Sequence, residues 1–528
     1  MTRARERLLG EEGTIIKDWG GKLAIALIYP NSYFIGMSNL GFHTVYRLFN
    51  SYKNIVCERV FWEKDDWIRK PKKVSLESQR PLSDFSLLAF SLTYELDYFN
   101  ALALLKSSGI PIYSAERGEE HPLVMAGGPC VMANPMPLAP FFDFFCIGEA
   151  EAILPSLISL LEESAGDEKF ELLKALSNLP GIYVPLYPPN RVKRQWVKSL
   201  DDFPVSSCVL THNTELGELY SIEVERGCPH HCRFCLVKAS FSPMRFRSKE
   251  RILELAREGL RYRRRLGLVG PVLSDYPHLE QLLEDLLKMG ASFSLSSLRA
   301  SPLPQRVVEL IAQGGARTIT LAPEAGSERL RKVIRKGISE DDILKAVSMV
   351  ARVGKIKQLK LYFMIGLPSE TEEDIEAIVE LVLKCKRILD QGGGGCRLDL
   401  NIAPFIPKAG TPFQWLGMAP QDVLEQRLLF LKRRLAPQGI KLRSESLPWS
   451  EVQAVLARGD GVVGEVLALI DSLSLGSWRK VVERKKLDYD FYAHKRWQFE
   501  QILPWAIIDT GTDVGKLKME LQDALLEE

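Results

Sequence analysis

Two successive series of apolar strands and helical stretches constrain the fold of this chain more than any other feature of its 528 residues. In the first series, continuous apolar runs are separated by segments with helical periodicity. Such runs are typical of parallel strands that are buried on both faces by helices. We therefore expect a Rossmann-like, doubly wound α/β domain over residues 1–165. The strands are expected at Lys22–Tyr29, Phe85–Leu92, Leu123–Ala126 and Phe141–Ile147.

A second alternating series follows a connector that spans residues 166–215. Six β/α units within one domain predict a barrel that is not fully closed, or another doubly wound sheet. We assign residues 216–435 to this partial (β/α)6 barrel and residues 436–528 to a small, mostly helical C-terminal region. The six strands are expected at Ser221–Glu225, Gly267–Leu273, Ser292–Ser296, Arg317–Leu321, Gln358–Ile365 and Arg397–Ala403.

The charge balance and hydropathy of the chain exclude several classes of protein. There are 69 Lys and Arg residues against 67 Asp and Glu residues, so the totals carry no strong nucleic-acid signal, because such binders show a basic excess. No apolar run is long enough for a membrane span, and the charged start is not followed by the apolar stretch of a signal peptide. We therefore expect a cytoplasmic protein that does not bind membranes.

Three of the nine cysteines lie within eight residues, in the segment Glu223-Val-Glu-Arg-Gly-Cys228-Pro-His-His-Cys232-Arg-Phe-Cys235. This segment directly follows the first strand of the second series. Three thiolates in one loop can bind three irons of a [4Fe–4S] cluster and leave the fourth iron open for a small chelating molecule.

Zinc is the alternative occupant of this loop, with either His230 or His231 as a fourth ligand. Ligands confined to one short loop, without a second Cys or His pair nearby, are unusual for zinc. The cluster interpretation is therefore favoured. The other cysteines are scattered, at Cys57, Cys130, Cys146, Cys208, Cys385 and Cys396.

The Cys-x-x-x-Cys-x-x-Cys spacing after the first strand of a β/α series resembles the signature of the radical S-adenosylmethionine (SAM) superfamily. This resemblance implies that SAM chelates the open iron and that one electron from the reduced cluster cleaves its sulfonium. The resulting 5′-deoxyadenosyl radical abstracts a hydrogen from a substrate, which the sequence does not identify. An electron donor such as flavodoxin or ferredoxin is implied as a partner.

The resemblance also assigns SAM-binding roles to residues that follow the strands. Phe234 resembles the aromatic residue near the adenine, and Gly270 lies where the family has a glycine-rich stretch. Glu324 resembles the carboxylate that bonds the ribose, and Ile365 and Gly366 resemble the backbone stretch around the adenine. Each has a simpler alternative: Gly366 suits a strand-ending turn, and Glu324 suits a helix cap.

Two further residues after strands, Asp275 and Arg299, are candidates for substrate contacts or for surface ion pairs.

The first domain, which ends in Gly127-Gly128-Pro129 and Gly148-Glu149, resembles the cobalamin-binding domain that precedes many radical SAM domains. The whole chain resembles uncharacterised radical SAM proteins, also in the segments Tyr29–Gly41 and Arg458-Gly-Asp460. Cobalamin is therefore a candidate cofactor. The Asp-x-His-x-x-Gly motif of histidine-ligated cobalamin is absent, and the lone His43 is typical of a structural residue.

Three functions follow from these patterns. The first is a radical SAM enzyme that cleaves SAM reductively, with cobalamin-dependent methylation or rearrangement among its outcomes. The second is a methylthiotransferase acting on tRNA or a ribosomal protein, which requires a second cluster, for instance on Cys57, Cys130 and Cys146. Their apolar surroundings favour buried free thiols instead. The third is a non-catalytic metal-binding scaffold.

Overall fold

The N-terminal domain is built on a six-stranded, mostly parallel sheet. The computed structural model describes residues 3–164, 166–296 and 298–527. In chain order, the strands of this sheet are Leu23–Tyr29, Ile55–Phe61, Leu87–Ser91, Leu123–Gly127, Phe144–Cys146 and Ile182–Tyr183. Their spatial order is second, first, third, fourth, fifth and sixth, and only the sixth is antiparallel to its neighbour. The order reverses beside the first strand, and ligands bind at such switch points, outside the carboxyl ends of the strands.

Helices cover both faces of this sheet because its strands are apolar on both sides. In the first strand, Ala24, Ala26 and Ile28 belong to one core, whereas Ile25, Leu27 and Tyr29 belong to another. The domain is therefore doubly wound. Its main helices are Leu40–Ser51, Asp97–Ser107, Pro129–Ala133, Ala150–Glu163 and Lys169–Leu176.

The central domain contains seven parallel strands in two sheets. The first sheet has three strands, Leu219–Glu223, Arg265–Val269 and Ser292–Leu295, and the second has four, Thr318–Glu324, Gln358–Ile365, Arg397–Pro404 and Lys441–Ser444. A parallel bridge between Leu298 and Leu321 joins the sheets. The described pairings do not connect the first strand to the seventh, so the barrel is open. The intervening helices are Leu236–Phe241, Lys249–Gly259, Leu279–Lys288, Gln305–Gln313, Glu328–Val333, Glu340–Val353, Glu372–Gln391 and Gln421–Leu435.

The expected α/β class, with a Rossmann-like domain before a partial barrel, is confirmed, with local corrections. The first two barrel strands begin and end earlier than expected, at Leu219–Glu223 and Arg265–Val269. Strand Ile55–Phe61 was not anticipated. The seventh barrel strand, Lys441–Ser444, lies just beyond the expected boundary at residue 435.

The C-terminal region is helical and packs against the N-terminal domain. Its helices are Leu447–Arg458, Gly461–Ala468, Leu475–Lys485, Tyr489–Ala493 and Val514–Leu526. The rings of Phe99 and Trp478 make an edge-to-face contact with centroids 5.6 Å apart. Trp478 and Trp497 are buried in the core that the N-terminal sheet also supplies, and each such burial stabilises the fold by roughly 1.5–3 kcal/mol. The described helices include none with the length and apolar character of a membrane span.

Candidate cofactor site

The three-cysteine loop lies between strand Leu219–Glu223 and helix Leu236–Phe241. Gly227, which precedes the first cysteine, has a φ of 85°. A Cβ at this position would lie 2.5 Å from the carbonyl oxygen of Phe241, so only glycine permits this close approach. The loop is thus folded back on the helix that follows it. Its cysteines, Cys228, Cys232 and Cys235, are free and half-buried.

The loop fits an iron–sulfur cluster better than zinc. Burial raises the pKa of the Cys235 thiol to about 11, so an ionised sulfur there needs a bound metal cation beside it, which either iron or zinc would supply. His230 Nε2 lies 2.7 Å from Asp275 Oδ2, and His231 is exposed. Three thiols without a fourth ligand are the set that a site-differentiated [4Fe–4S] cluster needs.

Arg226, one residue before Gly227, joins the loop to the N-terminal domain. Its guanidinium lies 3.0 Å from Glu149, 2.7 Å from Glu151 and 2.8 Å from Glu223. Arg245 adds a further contact to Glu149, at 2.6 Å. Buried ion pairs of this kind are stable only when every charge is compensated. The network therefore fixes the loop relative to the first turn of helix Ala150–Glu163.

A cavity of about 470 Å³ separates the N-terminal sheet from the cysteine loop. On one side it is lined by the carboxyl ends of strands, including Ser91, Gly127 and Cys146, and on the other by Gly227, Phe241 and Gly270. The remaining wall is largely apolar. The cavity thus lies at the edge of the sheet where doubly wound folds bind ligands, and it reaches the residues that flank the cysteines. Its apolar side chains include Leu40, Val45, Met125, Met132, Val237 and Val269.

The structure places the expected SAM contacts at the ends of barrel strands. Gly270 follows the second strand and lines the cavity. Phe234 is half-buried within the cysteine loop. Glu324 ends the fourth strand with a φ of 70° and lies 3.1 Å from Lys336 Nζ. Glu324 does not cap the next helix, because Ser327 does so. Its carboxylate therefore faces a cation at the barrel mouth.

Ile365 and Gly366 lie at the end of the fifth strand. The Ile365 side chain is buried in the barrel core, and its carbonyl accepts a hydrogen bond from Phe405 N at 2.8 Å. Gly366 has a φ of 78° and donates to Glu370 Oε2 at 2.6 Å, which also accepts from Arg427. The turn is thus stabilised by the buried carboxylate of Glu370, which no sequence motif marks.

Asp275 and Arg299 are not surface ion pairs. Arg299 is largely buried, and its guanidinium donates to the backbone carbonyls of Ser301 and Gly337, at 3.1 and 2.9 Å. Asp275 faces His230, as described above. Both residues therefore belong to the barrel mouth beside the cysteine loop.

His43 has a structural role, as the sequence indicated. Its Nε2 bonds to the Met37 carbonyl oxygen at 2.9 Å, and its Nδ1 lies 3.4 Å from the amide nitrogens of Cys208 and Val209. Burial lowers its pKa to about 4, so the ring is neutral. Both ring nitrogens are thus occupied.

Sequence reasoning missed Glu225 and Arg226, although they directly precede the Gly227-Cys228 pair. Both residues line the cavity. Two charged residues at the end of an apolar strand were a usable signal, but Glu149 and Glu151, which pair with Arg226, lie far away in the sequence.

Comparisons with known proteins identify the family. The family model "Radical SAM proteins, N-terminal" matches residues 41–185, and the model "Radical SAM superfamily" matches residues 222–382. The uncharacterized protein MJ0966 of Methanocaldococcus jannaschii is 32% identical over 440 residues, covering 83% of this chain and 88% of its own. The chain belongs to the radical SAM superfamily. Enzymes of this superfamily use a [4Fe–4S] cluster and SAM, so these are the cofactors of this chain.

More distant radical SAM relatives have assigned activities. The tRNA-2-methylthio-N(6)-dimethylallyladenosine synthase of Thermotoga petrophila is 26% identical over 197 residues, 35% of this chain and 42% of that protein. The radical SAM methyltransferase TsrM of Kitasatospora setae superposes with a TM-score of 0.49 at 14% identity, covering 74% of each chain.

Proposed function

We propose that this radical SAM enzyme holds its cluster on Cys228, Cys232 and Cys235 and uses a bound cobalamin to methylate or rearrange an unidentified substrate. The observation that carries this proposal is the cavity between the N-terminal sheet and the cysteine loop. A cofactor seated there would lie between the Rossmann-like domain and the cluster. Reductive cleavage of SAM supplies the 5′-deoxyadenosyl radical in this chemistry.

Two glycines support the fit of a large ring system. A Cβ on Gly127 would come no closer than 3.6 Å to the rest of the protein, and a Cβ on Gly41 would approach only the Asn39 side chain, at 3.1 Å. A side chain at either position would therefore clash with no backbone atom of another segment. Because both glycines line the cavity, the lack of a side chain at each of them leaves space inside it. Gly128 and Gly148 differ, because a Cβ there would lie 2.4 and 2.3 Å from backbone oxygens.

The cavity contains no histidine among its described lining residues. A corrin bound there would therefore receive no imidazole ligand from the wall, which agrees with the missing Asp-x-His-x-x-Gly motif. The apolar wall suits the flat face of a corrin, since ligand pockets are mostly apolar with a few polar groups that fix orientation.

Anaerobic reconstitution with iron, sulfide and cobalamin tests this function. We expect the desalted protein to retain corrin absorbance and, once reduced, to form 5′-deoxyadenosine from SAM. Gly127→Leu fills the cavity and should abolish corrin retention but preserve iron content. Gly461→Leu, at a position where a Cβ meets open space, is the control. Failure of the wild-type protein to retain corrin would rule out the cobalamin proposal.

The methylthiotransferase alternative needs a second cluster, and the described structure does not assemble one from the N-terminal cysteines. Cys57 and Cys146 lie in the core on one face of the sheet, whereas Cys130 lies in the core on the other face. Burial raises the pKa of all three thiols. Iron analysis separates the functions: about four irons per chain favour one cluster, and about eight favour two.

We also propose an acidic protein such as flavodoxin or ferredoxin as the electron donor. Lys238 and Lys516, together with Arg335 and its ion-pair partner Glu520, line a surface cavity of about 250 Å³ that Cys232 and Cys235 also line. Positive charge beside the cluster would steer an acidic partner towards it. SAM cleavage supported by flavodoxin should therefore fall steeply with ionic strength, whereas cleavage supported by dithionite should not.

A further inference from the structure

Among the residues that the structure describes, one of the carboxylates that line the cavity between the domains has no cationic partner. Glu149, Glu151 and Glu223 are all held by Arg226, at 3.0 Å or less. Glu225 also lines this cavity, but no ion pair involves it in the part of the chain that the structure describes. The network therefore satisfies three carboxylates, and the fourth, Glu225, lies in the cavity wall without a cation.

The Glu225 side chain is buried, and only one of its two carboxylate oxygens has a hydrogen-bond partner. Its Oε1 accepts a hydrogen bond from Val272 N at 2.6 Å, and its Oε2 is buried without a hydrogen-bond partner. The whole residue is only 2% exposed. A buried oxygen without a partner costs roughly 1–3 kcal/mol, so a hydrogen-bonding group placed beside Oε2 would recover this cost.

Gly270 makes room for this carboxyl. A Cβ at position 270 would lie 2.4 Å from Glu225 Cγ. The Gly270-Pro271-Val272 turn therefore accommodates the Glu225 side chain and, through Val272 N, orients it. The space that Glu225 needs therefore explains the glycine at position 270 without a contact to SAM.

The surroundings of Glu225 favour a neutral carboxyl. Burial, followed by the nearby charge of Asp275, raises its pKa to about 7. Asp275 itself is turned to His230. The neighbouring cations Arg226, Arg245 and Arg247 are turned to Glu149, Glu151 and Glu223. A neutral carboxyl carries one O–H donor and one carbonyl acceptor, which is the complement of a primary amide.

We infer that Glu225 binds a primary amide of the ligand in this cavity, with its O–H donating to the amide carbonyl oxygen and its carbonyl oxygen accepting from the amide N–H. The inference rests on the proposed function, because the rim of a corrin carries such amides. Glu225 is thus a positioning residue that sets the orientation of the corrin above the cysteine loop.

Titration with cyanocobalamin, which has no titrating axial water, tests this role through the Kd. Near pH 6 the wild-type carboxyl is protonated, and near pH 8 it is ionised and loses its donor. We expect the wild-type Kd to rise between roughly twofold and tenfold over this range, which is the value of one hydrogen bond. Glu225→Gln keeps a donor and an acceptor without a titrating proton, so its Kd should be tight and independent of pH. Glu225→Leu should bind weakly at both pH values.

Asp97→Asn is the matched control, because Asp97 is another buried carboxyl with a pKa of about 7 and is not among the cavity-lining residues. This variant should keep the wild-type pH profile. Equal pH profiles for the wild type and Glu225→Gln would overturn the inference and leave cobalamin binding intact. Tighter wild-type binding at high pH would also overturn it, since it indicates a cationic ligand group. Lack of corrin binding by the wild type would instead refute the proposed function.

Discussion

The guanidinium of Arg226 lies 2.7 Å from the carboxylate of Glu151, a residue 75 positions earlier in the chain. This pair connects the residue before Gly227 with the first turn of helix Ala150–Glu163. The cysteine loop and the carboxyl edge of the N-terminal sheet are therefore held by one charge network. Residues of this network also line the cavity between them.

Arg226→Ala should destabilise the protein by about 3–5 kcal/mol, because it leaves buried carboxylates without their cation. Urea unfolding measures this loss, and iron analysis should show poorer cluster incorporation. Arg306→Ala is the control, since its pair with Glu284 is exposed and its loss should change the stability far less than the loss of Arg226. Equal losses for the two variants would show that the Arg226 network does not bear on stability.

Cys232→Ala should lower the iron content and abolish formation of 5′-deoxyadenosine from SAM, because the cluster loses one of its three thiolates. Cys57→Ala should keep the wild-type iron content, since Cys57 is buried in the N-terminal core. Iron analysis and electron paramagnetic resonance of the reduced protein check both results. Loss of iron in the Cys57 variant would instead support a second cluster.

The sequence predicted those parts of the fold that are encoded by local patterns. Strand Leu23–Tyr29 is continuous in apolar residues, and so it was recognised. Strand Ile55–Phe61 was missed because Glu58 and Arg59 interrupt its apolar run. The structure shows why they are tolerated: Arg59 is buried between Glu11 and Glu77, at 2.6 Å from each. Strand Lys441–Ser444 is short, polar and mostly exposed, so no apolar run marks it.

The candidate site also contains some features that local sequence patterns encode and others that depend on distant segments of the chain. The three cysteines proposed as cluster ligands follow one another within eight residues, and their spacing alone marks the loop. The cavity and the partners of Arg226 come from segments far apart in the chain, and only the folded structure brings Glu149 and Glu151 beside it. The buried oxygen of Glu225 depends on the three-dimensional arrangement and has no signature in the sequence.

Asp97 should make the stability of the fold depend on pH. Burial raises its pKa from 3.8 to about 7, so the folded state binds a proton that the unfolded state releases. The stabilising contribution is therefore complete below about pH 4 and is lost as the pH rises through about 7. The shift corresponds to a loss of the order of 4 kcal/mol. Urea unfolding at several pH values should show a shallower decline for Asp97→Asn than for the wild type, and identical slopes would contradict this expectation.

Arg458 should stabilise the C-terminal region through backbone hydrogen bonds. Its guanidinium donates to the carbonyls of Tyr492 and Lys495, at 2.7 and 2.8 Å, and lies 4.0 Å from the centre of the Trp497 ring. Arg458→Lys cannot reproduce the planar fork and should cost roughly 1–3 kcal/mol, since a single ammonium group cannot serve both carbonyls and leaves at least one without its donor.

Asn134 of the N-terminal domain contacts the backbone on either side of Arg458. It therefore tests whether the loss of stability in Arg458→Lys spreads to that domain. Asn134 Nδ2 donates to the carbonyls of Ala457 and Gly459, on either side of Arg458, at 3.1 and 2.7 Å. A double-mutant cycle of Asn134→Ala and Arg458→Lys, measured by urea unfolding, should therefore give a coupling energy above about 0.5 kcal/mol. Strict additivity would mean that the two contacts stabilise their domains independently.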